Sequence, residues 1–483
     1  MAGGTGPLKL RRLLLLGGAV AVGVVVGRAR RSTRAKRNVE MARVSSRLGM
    51  SVAATRARQV FASAERKEQL QAELELKTGQ QVAEALGNMK GAMMKIGQLA
   101  SFLDDGLPEP IREALASLQQ DAPPMSAALA ASVIEEELGG PPDKLFAEWD
   151  PVPIAAASIG QVHRAMTRDG AAVAVKMQYP GVDEAIKADL DNSDLLFGII
   201  GMVMPGFDPK PLVQEIRERV SEELDYRIEA ENQTVFVEHY RDHPFIHIPA
   251  VVPELSARRV LTTELADGVR FGEVEKTWSQ EERNLAGEAI YRFVFRSIYD
   301  MRTFNGDPHP GNYLFRPGGR VTFLDFGLIK RFTADEVANA EQMLRHVVFE
   351  HDIAAYRRSI EEAGILKPGA PVTDEEIRTY FGHFYEIVLE DREVKFTHAY
   401  AAELVQRLFD LQGRFGEIAK YSNLPASMVI IQRINLGLYS VLASLGATAN
   451  WRRIAEELWP SVRGPASTDL GRQEEAWLAT HAR

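Results

Sequence analysis

The sequence lacks cysteine altogether and is poor in long apolar segments. Without cysteine, disulfide bonds and thiolate metal sites are excluded, and the composition suits a reducing compartment. Residues 13–27 form the one apolar run of note, and its length falls short of the roughly twenty residues that a membrane-spanning helix prefers. The sequence contains no internal repeat. Its 45% hydrophobic and 25% charged residues are ordinary for a globular protein, and 483 residues suffice for two or three domains.

The net charge of −9 is unevenly distributed along the chain. Residues 1–66 contain fourteen lysines and arginines but two glutamates, so the remainder is strongly acidic. A basic end on an acidic body is typical of an arm that binds an anionic surface. The apolar run at 13–27 favours a membrane over nucleic acid. We therefore predict a membrane-associated protein with no nucleic-acid partner.

Residues 1–37 admit more than one interpretation. Arginines flank the apolar run and can snorkel to the lipid headgroups, which favours a membrane anchor. The alternatives are a targeting presequence and a solvated basic tail. If the run spans a membrane, the heavier basic flank follows it. The body would then lie in the cytoplasm, or in the mitochondrial matrix of a eukaryotic cell.

The apolar periodicity changes twice along the chain. Residues 38–140 predict helices, the last of them with Ser126 as its N-cap and Gly139 as its stop. Three strands follow from about 145, with a hairpin turn at the Asp-Gly pair of 169–170. A long helix is expected over 209–240. Beyond about 280 the pattern is mainly helical, apart from the β-like stretches "NYLF" and "VTFLDF".

This order predicts an α+β protein of two lobes with a ligand cleft between them. Two strands and a connector are expected over 251–268, and a buried helix over 424–447. The predicted boundaries are 1–37 for the anchor or targeting segment, 38–140 for a helical extension, 141–268 for a small β-rich lobe, 269–463 for a larger helical lobe and 464–483 for a loose tail.

Two short stretches, "NGDPHPGNYLF" and "FLDFGLIK", supply the strongest chemical signal. Asp307 precedes Asn312 by five residues, and Asp325 precedes Phe-Gly. Carboxylate and amide oxygens suit Mg²⁺. In phosphoryl transfer an aspartate acts on the acceptor hydroxyl while an asparagine and a second aspartate hold the metal. Turn-forming residues and a strand end would explain either stretch alone; the two together favour phosphoryl transfer.

Lys176 in "VAVKMQ" lies in an apolar strand, where a lysine is costly unless it is paired. A kinase uses such a lysine to hold phosphates and pairs it with a helical glutamate. The segment "EELDYRIEAEN" offers Asp225 and Glu229, one turn apart, which would repel each other without a cation. The alternative is a solvated acidic helix face.

Two further segments are less specific. The stretch "AAASIGQVHRA" lies where a kinase has its glycine-rich phosphate loop, but alanine resists the positive φ that glycine adopts. A plain small-residue turn explains it equally well. In "KIGQ", Lys95 and Gln98 are one turn apart on a predicted helix, which suits either a helix pressed against a polar surface or an ordinary surface lysine.

Together these segments resemble the UbiB (AarF-type) family of atypical kinases, over about residues 85–335. The resemblance implies a protein-kinase-like fold with a small β-rich N-lobe, a larger helical C-lobe and an N-terminal helical extension packed over the active site. It also implies Mg²⁺ and ATP as cofactors. Members act more readily as ATPases than as protein kinases, and they support quinone or isoprenoid-lipid metabolism at membranes. A lipid or quinone-pathway partner is therefore expected.

The resemblance also implies a role for each matching residue. Lys95 and Gln98 would restrict access to the site, with Glu223 and Asp225 as their acidic partners. Lys176, paired with Glu229, would hold phosphates, and Asp307 would be the base-like aspartate. The nucleotide-binding residues would be Ala155, Ala156, Ala157 and Ser158 over the nucleotide, with Glu264 and Leu265 at the hinge beside adenine. The metal ligands would be Asn312 and Asp325.

The chain departs from the family at two places. Asn305 stands where many members have a histidine, two residues before the catalytic aspartate, and we expect a positional effect. The apolar segment is N-terminal, whereas many members carry theirs at the C-terminus. Two rival functions remain: a small-molecule phosphotransferase of the aminoglycoside or choline type, and a non-catalytic scaffold gated by ATP.

Overall fold

The computed structural model describes residues 125–157, 159–183, 222, 224–305, 308–409, 418, 420–422 and 437–481, with backbone alone for 404–409. Nearly all of them belong to one unit, which comprises Phe102–Gly106, Asp121–Pro180 and Glu218–Arg483. The apolar run at 13–27 lies outside the described residues. Within the described part of the chain, no helix has both the length and the apolar character needed to cross a membrane.

The strands are β1 (Glu148–Ala157), β2 (Gly160–Met166), β3 (Ala172–Gln178), β4 (Ile246–His247), β5 (Val260–Glu264), β6 (Val269–Arg270), β7 (Thr303–Asn305), β8 (Tyr313–Arg316), β9 (Arg320–Phe323), β10 (Ile329–Arg331), β11 (Val394–Lys395) and β12 (Thr448–Ala449). The helices are α1 (Ala127–Leu138), α2 (Pro142–Leu145), α3 (Tyr226–His239), α4 (Phe271–Thr277), α5 (Gln280–Met301), α6 (Ala334–Leu344), α7 (Ile353–Glu362), α8 (Asp374–Phe381), α9 (Glu386–Leu389), α10 (His398–Phe409), α11 (Trp451–Leu458) and α12 (Asp469–Thr480).

The small lobe is an antiparallel sheet in the order β1-β2-β3-β5 with α1 packed on one face. The predicted caps of α1 are confirmed: the Ser126 hydroxyl accepts from the Leu129 amide, and Gly139 has φ +78°. The predicted hairpin is also present, with Gly170 at φ +90°. In β3, Val173 and Val175 are buried on the α1 side. The strand period of two therefore directs Lys176 to the opposite face.

The larger lobe is built around α5 and a second sheet in the order β4-β9-β8-β6. The ring of Phe293 on α5 stacks on that of Phe323 on β9, with centroids 3.7 Å apart. A separate ribbon pairs β7 with β10. The predicted β-like stretches "NYLF" and "VTFLDF" correspond to β8 and β9, except that β9 ends at Phe323, before "LDF". In the described part of the predicted buried helix, 437–445, Leu438 and Leu442 are fully buried.

Three predictions about secondary structure are corrected. The helix expected over 209–240 does not run unbroken, because Asp225 has an extended backbone and caps α3, which begins at Tyr226. Residues 251–268 contain a 3₁₀ turn and one strand, β5, rather than two strands, and β6 begins only after them, at Val269.

The third correction concerns the last twenty residues, which are not a loose tail. They contain α12, on which Glu474 and Trp477 are buried. Glu474 pairs with Arg292 and Arg296 of α5. Glu474 is one of the charged residues that make this segment resemble a solvated tail, yet its ion pairs attach the segment to the larger lobe.

Candidate active site

Lys176 and Glu229 form the central ion pair of the site. The Lys176 ammonium lies 2.7 Å from Oε1 of Glu229 and 2.9 Å from Oε2. The Glu229 side chain is only 5% exposed. Burial by itself lowers the pKa of Lys176, but the carboxylates of Asp325 and Glu229 outweigh it and raise that pKa well above its usual value. The lysine is therefore held as a cation at neutral pH.

Asp325 is the second carboxylate beside this lysine. Its Oδ2 lies 3.7 Å from the Lys176 ammonium, and its Oδ1 accepts a hydrogen bond of 2.9 Å from the Gly327 amide. The side chain is 28% exposed, in contrast with that of Glu229. Asp325 is thus oriented through one oxygen while it stays accessible, which suits a ligand for a hard cation.

The two predicted metal ligands lie at the same end of two paired strands. Asn312 directly precedes β8, and Asp325 follows β9 with one residue, Leu324, between them. Tyr313 pairs with Phe323 across these strands, and the Leu324 amide donates to the Asn312 carbonyl at 3.0 Å. The backbones of Asn312 and Asp325 are therefore neighbours at this end of the sheet, and amide and carboxylate oxygens both fit Mg²⁺.

Asn305 contacts the main chain at Asp325. Its Nδ2 donates to the Asp325 carbonyl at 2.5 Å, and its strand β7 pairs with Ile329 on β10. The residue is buried. This asparagine thus ties the strand before the "GDPHPGN" segment to the "DFG" segment.

Helix α3 contacts the "DFG" segment through residues that the sequence analysis missed. Nδ2 of Asn232 donates to the Phe326 carbonyl at 3.2 Å, and the ring of Phe236 lies 4.8 Å from that of Phe326. Asn232 and Phe236 follow Glu229 at spacings of three and seven, which places all three on one helix face. That spacing was the sequence signal that could have identified Asn232 and Phe236 as contacts of "DFG". It was missed because a lone asparagine in an acidic segment looks like a solvated residue.

The alanine-rich stretch extends a strand instead of forming an open loop. Ala155, Ala156 and Ala157 belong to β1 and pair with Val162, Gln161 and Gly160. The expectation of a loop at these three positions is thus corrected, because antiparallel pairing uses the extended backbone that alanine tolerates and glycine is not needed for it. Ser158 lies outside the described residues. The role of these residues over a nucleotide stays a prediction.

Two buried residues of β2, Gln161 and His163, stabilise the β1–β2 hairpin through hydrogen bonds. Gln161 accepts from the Met125 amide at 2.9 Å, and its Nε2 lies 2.7 Å from Nε2 of His163. Nδ1 of His163 lies 2.8 Å from the Asp150 carbonyl, so it donates there and its Nε2 accepts from Gln161. Burial lowers the pKa of His163. The histidine is thus neutral and structural.

The predicted hinge residues lie where β5 leaves the small lobe. The Leu265 amide donates to the Ala172 carbonyl at 3.0 Å. The Glu264 carboxylate lies 3.1 Å from Nε2 of His247 on β4 and also accepts from the Ala250 amide. The hydrogen bond from His247 holds the pKa of Glu264 below its usual range. Their contact with adenine stays a prediction.

Of the two predicted acidic partners of the extension, the structure describes Asp225 alone. Asp225 is the N-cap of α3, and its carboxylate pairs with Arg227 at 2.6 Å, which lowers its pKa. The expectation that Asp225 and Glu229 share a helix face is corrected, because Asp225 lies before the first residue of α3. Each carboxylate has the cation that the sequence analysis required: Arg227 for Asp225 and Lys176 for Glu229. The remaining predicted site residues, Lys95, Gln98, Glu223 and Asp307, lie outside the described residues.

Comparisons with known proteins place this geometry in a family. The model of the ABC1 atypical kinase-like domain matches residues 117–359. The chain is 36% identical over 255 residues to the mitochondrial atypical kinase COQ8B of Rattus norvegicus, which covers 52% of this chain and 48% of that protein. It is 31% identical over 282 residues to the mitochondrial atypical kinase COQ8 of Saccharomyces cerevisiae, and the aligned residues cover 58% of this chain and 56% of that protein. The chain thus spans about half the length of these curated relatives.

A solved structure shows the same likeness over more of the chain. The complex of Rv3197 with erythromycin from Mycobacterium tuberculosis is 32% identical in sequence and superposes with a TM-score of 0.61. The match covers 83% of this chain and 100% of that one. The predicted α+β kinase-like fold is thereby confirmed. The chain belongs to the ABC1 atypical kinase-like family, the UbiB-type atypical kinases that its motifs resemble.

Proposed function

We propose that the protein is an ATP-dependent phosphotransferase or ATPase that binds Mg·ATP and acts at a membrane surface, in support of quinone or isoprenoid-lipid metabolism. One observation carries the proposal: the Lys176 ammonium lies between the carboxylates of Glu229 and Asp325. This cation joins β3, α3 and the "DFG" segment at a single point. Phosphoryl transfer requires such a cation beside a metal-binding aspartate.

Each described side chain has a distinct task in this proposal. Lys176 binds phosphate oxygens, and Glu229 orients it. Asn312 and Asp325 would hold Mg²⁺, which when bound neutralises charge on the phosphates. Asp325 keeps Oδ2 toward the lysine because its Oδ1 is bound by the Gly327 amide.

Asp307 is the proposed group that orients the acceptor, whether water, a lipid or a protein hydroxyl. The described residues on both sides of it are held firmly. Asn305 is bound to the Asp325 carbonyl. On the other side, Pro308 packs so closely on Gly437 that a Cβ at Gly437 would lie 2.2 Å from the proline Cγ. These two contacts fix the described residues next to Asp307, and fixed neighbours help to position a catalytic group with little entropy cost.

The location and the pathway rest on the sequence and on the relatives. Two relatives are named as mitochondrial COQ8 kinases, which supports a role in quinone metabolism. The basic, apolar segment at 1–37 supports action at a membrane surface. Family membership favours this function over a small-molecule phosphotransferase of the aminoglycoside type.

Replacing Asp307 by Asn separates catalysis from scaffolding. We expect the Kd for Mg·ATP to stay within about twofold, since the metal ligands are intact. We expect steady-state phosphate release to fall by roughly 10²–10⁴-fold, the usual contribution of a positioned acid or base. Unchanged phosphate release would overturn the catalytic role of Asp307. Nucleotide binding without any turnover in the wild type would leave the ATP-gated scaffold as the function.

A further inference from the structure

We infer that Asn232 is a positioning residue that fixes the peptide group after Asp325, so that one helix sets both the Lys176–Glu229 pair and the metal-binding aspartate. The inference rests on the proposed function and names a residue that acts through Asp325. The contact that matters is at the peptide group between Phe326 and Gly327.

That peptide group is bound on both sides. Its carbonyl, at Phe326, accepts from Nδ2 of Asn232 at 3.2 Å. Its N–H, at Gly327, donates to Oδ1 of Asp325 at 2.9 Å. In a trans peptide the C=O and N–H point in opposite directions. A hydrogen bond from Asn232 on one side therefore directs the N–H toward Asp325 on the other.

The orientation of the Asn232 amide is itself determined by its partners. Oδ1 of Asn232 accepts from Nη2 of Arg331 at 2.8 Å. A guanidinium only donates and a carbonyl only accepts, so the amide oxygen must face Arg331 and the NH₂ must face Phe326. Asn232 is buried. Because both the oxygen and the nitrogen of this buried amide are hydrogen-bonded, the Phe326–Gly327 peptide group has little freedom to rotate.

The helix face links this contact to the phosphate-binding lysine. Glu229 precedes Asn232 by three residues and binds Lys176 at 2.7 Å. Phe236 follows by four and packs its ring on Phe326, which is fully buried. A displacement of α3 would therefore shift the lysine's partner and the Phe326 peptide together. The position of this helix thus controls both halves of the site.

The consequence for Asp325 is specific. With Oδ1 bound to the Gly327 amide, Oδ2 faces Lys176 at 3.7 Å. If the peptide rotates, Oδ1 loses the Gly327 donor, and the carboxylate is held less firmly in this orientation. Metal-dependent nucleotide binding should suffer, whereas nucleotide binding without metal should change little.

The test compares Asn232→Asp with a matched control on the same helix. Asp at 232 keeps an oxygen for Arg331 but turns a second oxygen toward the Phe326 carbonyl, which is repulsive. Gln233 is also buried, and its Nε2 donates to the Pro249 carbonyl at 2.6 Å, away from "DFG". Gln233→Glu therefore makes the same chemical change at a contact that does not involve Asp325.

The measurement is the Kd of a non-hydrolysable ATP analogue to the full chain, with Mg²⁺ and with EDTA. We expect Asn232→Asp to reduce the Mg²⁺-dependent gain in affinity by about tenfold and Gln233→Glu to leave it within about twofold, even if both lower the Tm. Asn232→Ala, which removes the donor without adding a repulsive oxygen, should shift the gain in the same direction and serves if Asn232→Asp does not fold. In an Asp325→Asn background, changing Asn232 should have no further effect on this gain.

The two possible failures are distinct. If the wild type gains no affinity from Mg²⁺, the proposed function is overturned, and this inference is overturned with it. If the wild type gains affinity and both Asn232 variants keep the full gain, Asn232 is a purely structural residue and the inference alone is wrong. An equal loss in Gln233→Glu would also overturn it, because the effect would then follow from general damage to α3.

Discussion

Arg292 of α5 donates to Glu474 of α12 at 2.9 Å, and the two side chains are 0% and 1% exposed. Burial by itself raises the pKa of Glu474, but the His243 ring, whose Nε2 lies 3.7 Å from Oε1, and the guanidinium groups of Arg296 and Arg292 hold that pKa well below the usual range. A buried charge stays this acidic only while its cations are in place. The C-terminal helix is therefore part of the larger lobe, and its attachment depends on pH.

Glu474→Gln should lower the free energy of unfolding at pH 7 by about 3–5 kcal/mol, the cost of breaking a buried ion pair from one side. Because the folded-state pKa is depressed, the contribution of Glu474 is present above the unfolded-state pKa of about 4.3 and is lost as the pH falls below it. Urea unfolding of wild type and variant from about pH 7 down to 3.5 should show the difference shrinking below about pH 4. A difference that does not change with pH would contradict this account.

Lys176→Met should weaken Mg·ATP binding by roughly 10–100-fold, since it removes a charged hydrogen-bond donor from the phosphates. Lys176→Arg keeps the charge and serves as the conservative control. The raised pKa of Lys176 also predicts that this lysine does not titrate between about pH 6 and 9. Calorimetry across that range should give the same pH dependence of Mg·ATP affinity for the wild type and for Lys176→Arg. A loss of affinity at high pH in the wild type alone would show that the lysine is not held as a cation.

Gly160→Ala should destabilise the small lobe by about 3 kcal/mol, the upper end of the cost of overpacking. A Cβ at Gly160 would lie 1.9 Å from the carbonyl oxygen of Met177, a backbone atom that cannot swing aside. Gly272→Ala is the matched control, since a Cβ there has no neighbour within 4 Å. Thermal unfolding experiments should show a lower Tm for Gly160→Ala and no such decrease for Gly272→Ala. Equal Tm values would mean that β2 and β3 can separate without cost.

Gly437→Ala tests the support of the loop that contains Asp307. The new methyl group would collide with Pro308 and push that end of the loop away. A small displacement of a catalytic group costs roughly 10–100-fold in rate. We expect kcat for phosphate release to fall by that factor, with the Kd for Mg·ATP little changed. Gly382→Ala, whose nearest neighbour is 3.8 Å away, should leave both constants unaltered; a similar fall there would rule out this explanation.

Local signals in the sequence predicted much of the fold. Ser126 and Gly139 mark the ends of α1, and the Asp-Gly pair marks the hairpin between β2 and β3, because caps and tight turns depend on a few adjacent residues. The cost of an unpaired lysine in an apolar strand predicted an acidic partner for Lys176, with Asp225 and Glu229 as candidates, and the family resemblance implied Glu229. The structure contains that pair, while the functional roles of both residues stay predictions.

Contacts between segments that are distant in the sequence could not be predicted from such local signals. Asn232 looks like a solvated residue until Phe326 and Arg331 are folded against it. Glu474 looks like part of a charged tail, since its partners lie far away in sequence. Polar residues inside a helix carry no mark of burial, because the partner that makes burial tolerable is supplied by tertiary structure.

The most direct test of the nucleotide site is the Tm of the full chain with and without saturating Mg·ATP, beside an Asp325→Asn variant. Ligand at a hundredfold its Kd stabilises the folded state by about 2.7 kcal/mol, which corresponds to a rise of roughly 5 °C. We predict such a rise in the wild type, its dependence on Mg²⁺, and its loss in Asp325→Asn. No rise in the wild type, or an equal rise in the variant, would contradict a Mg·ATP site built on Lys176, Glu229 and Asp325.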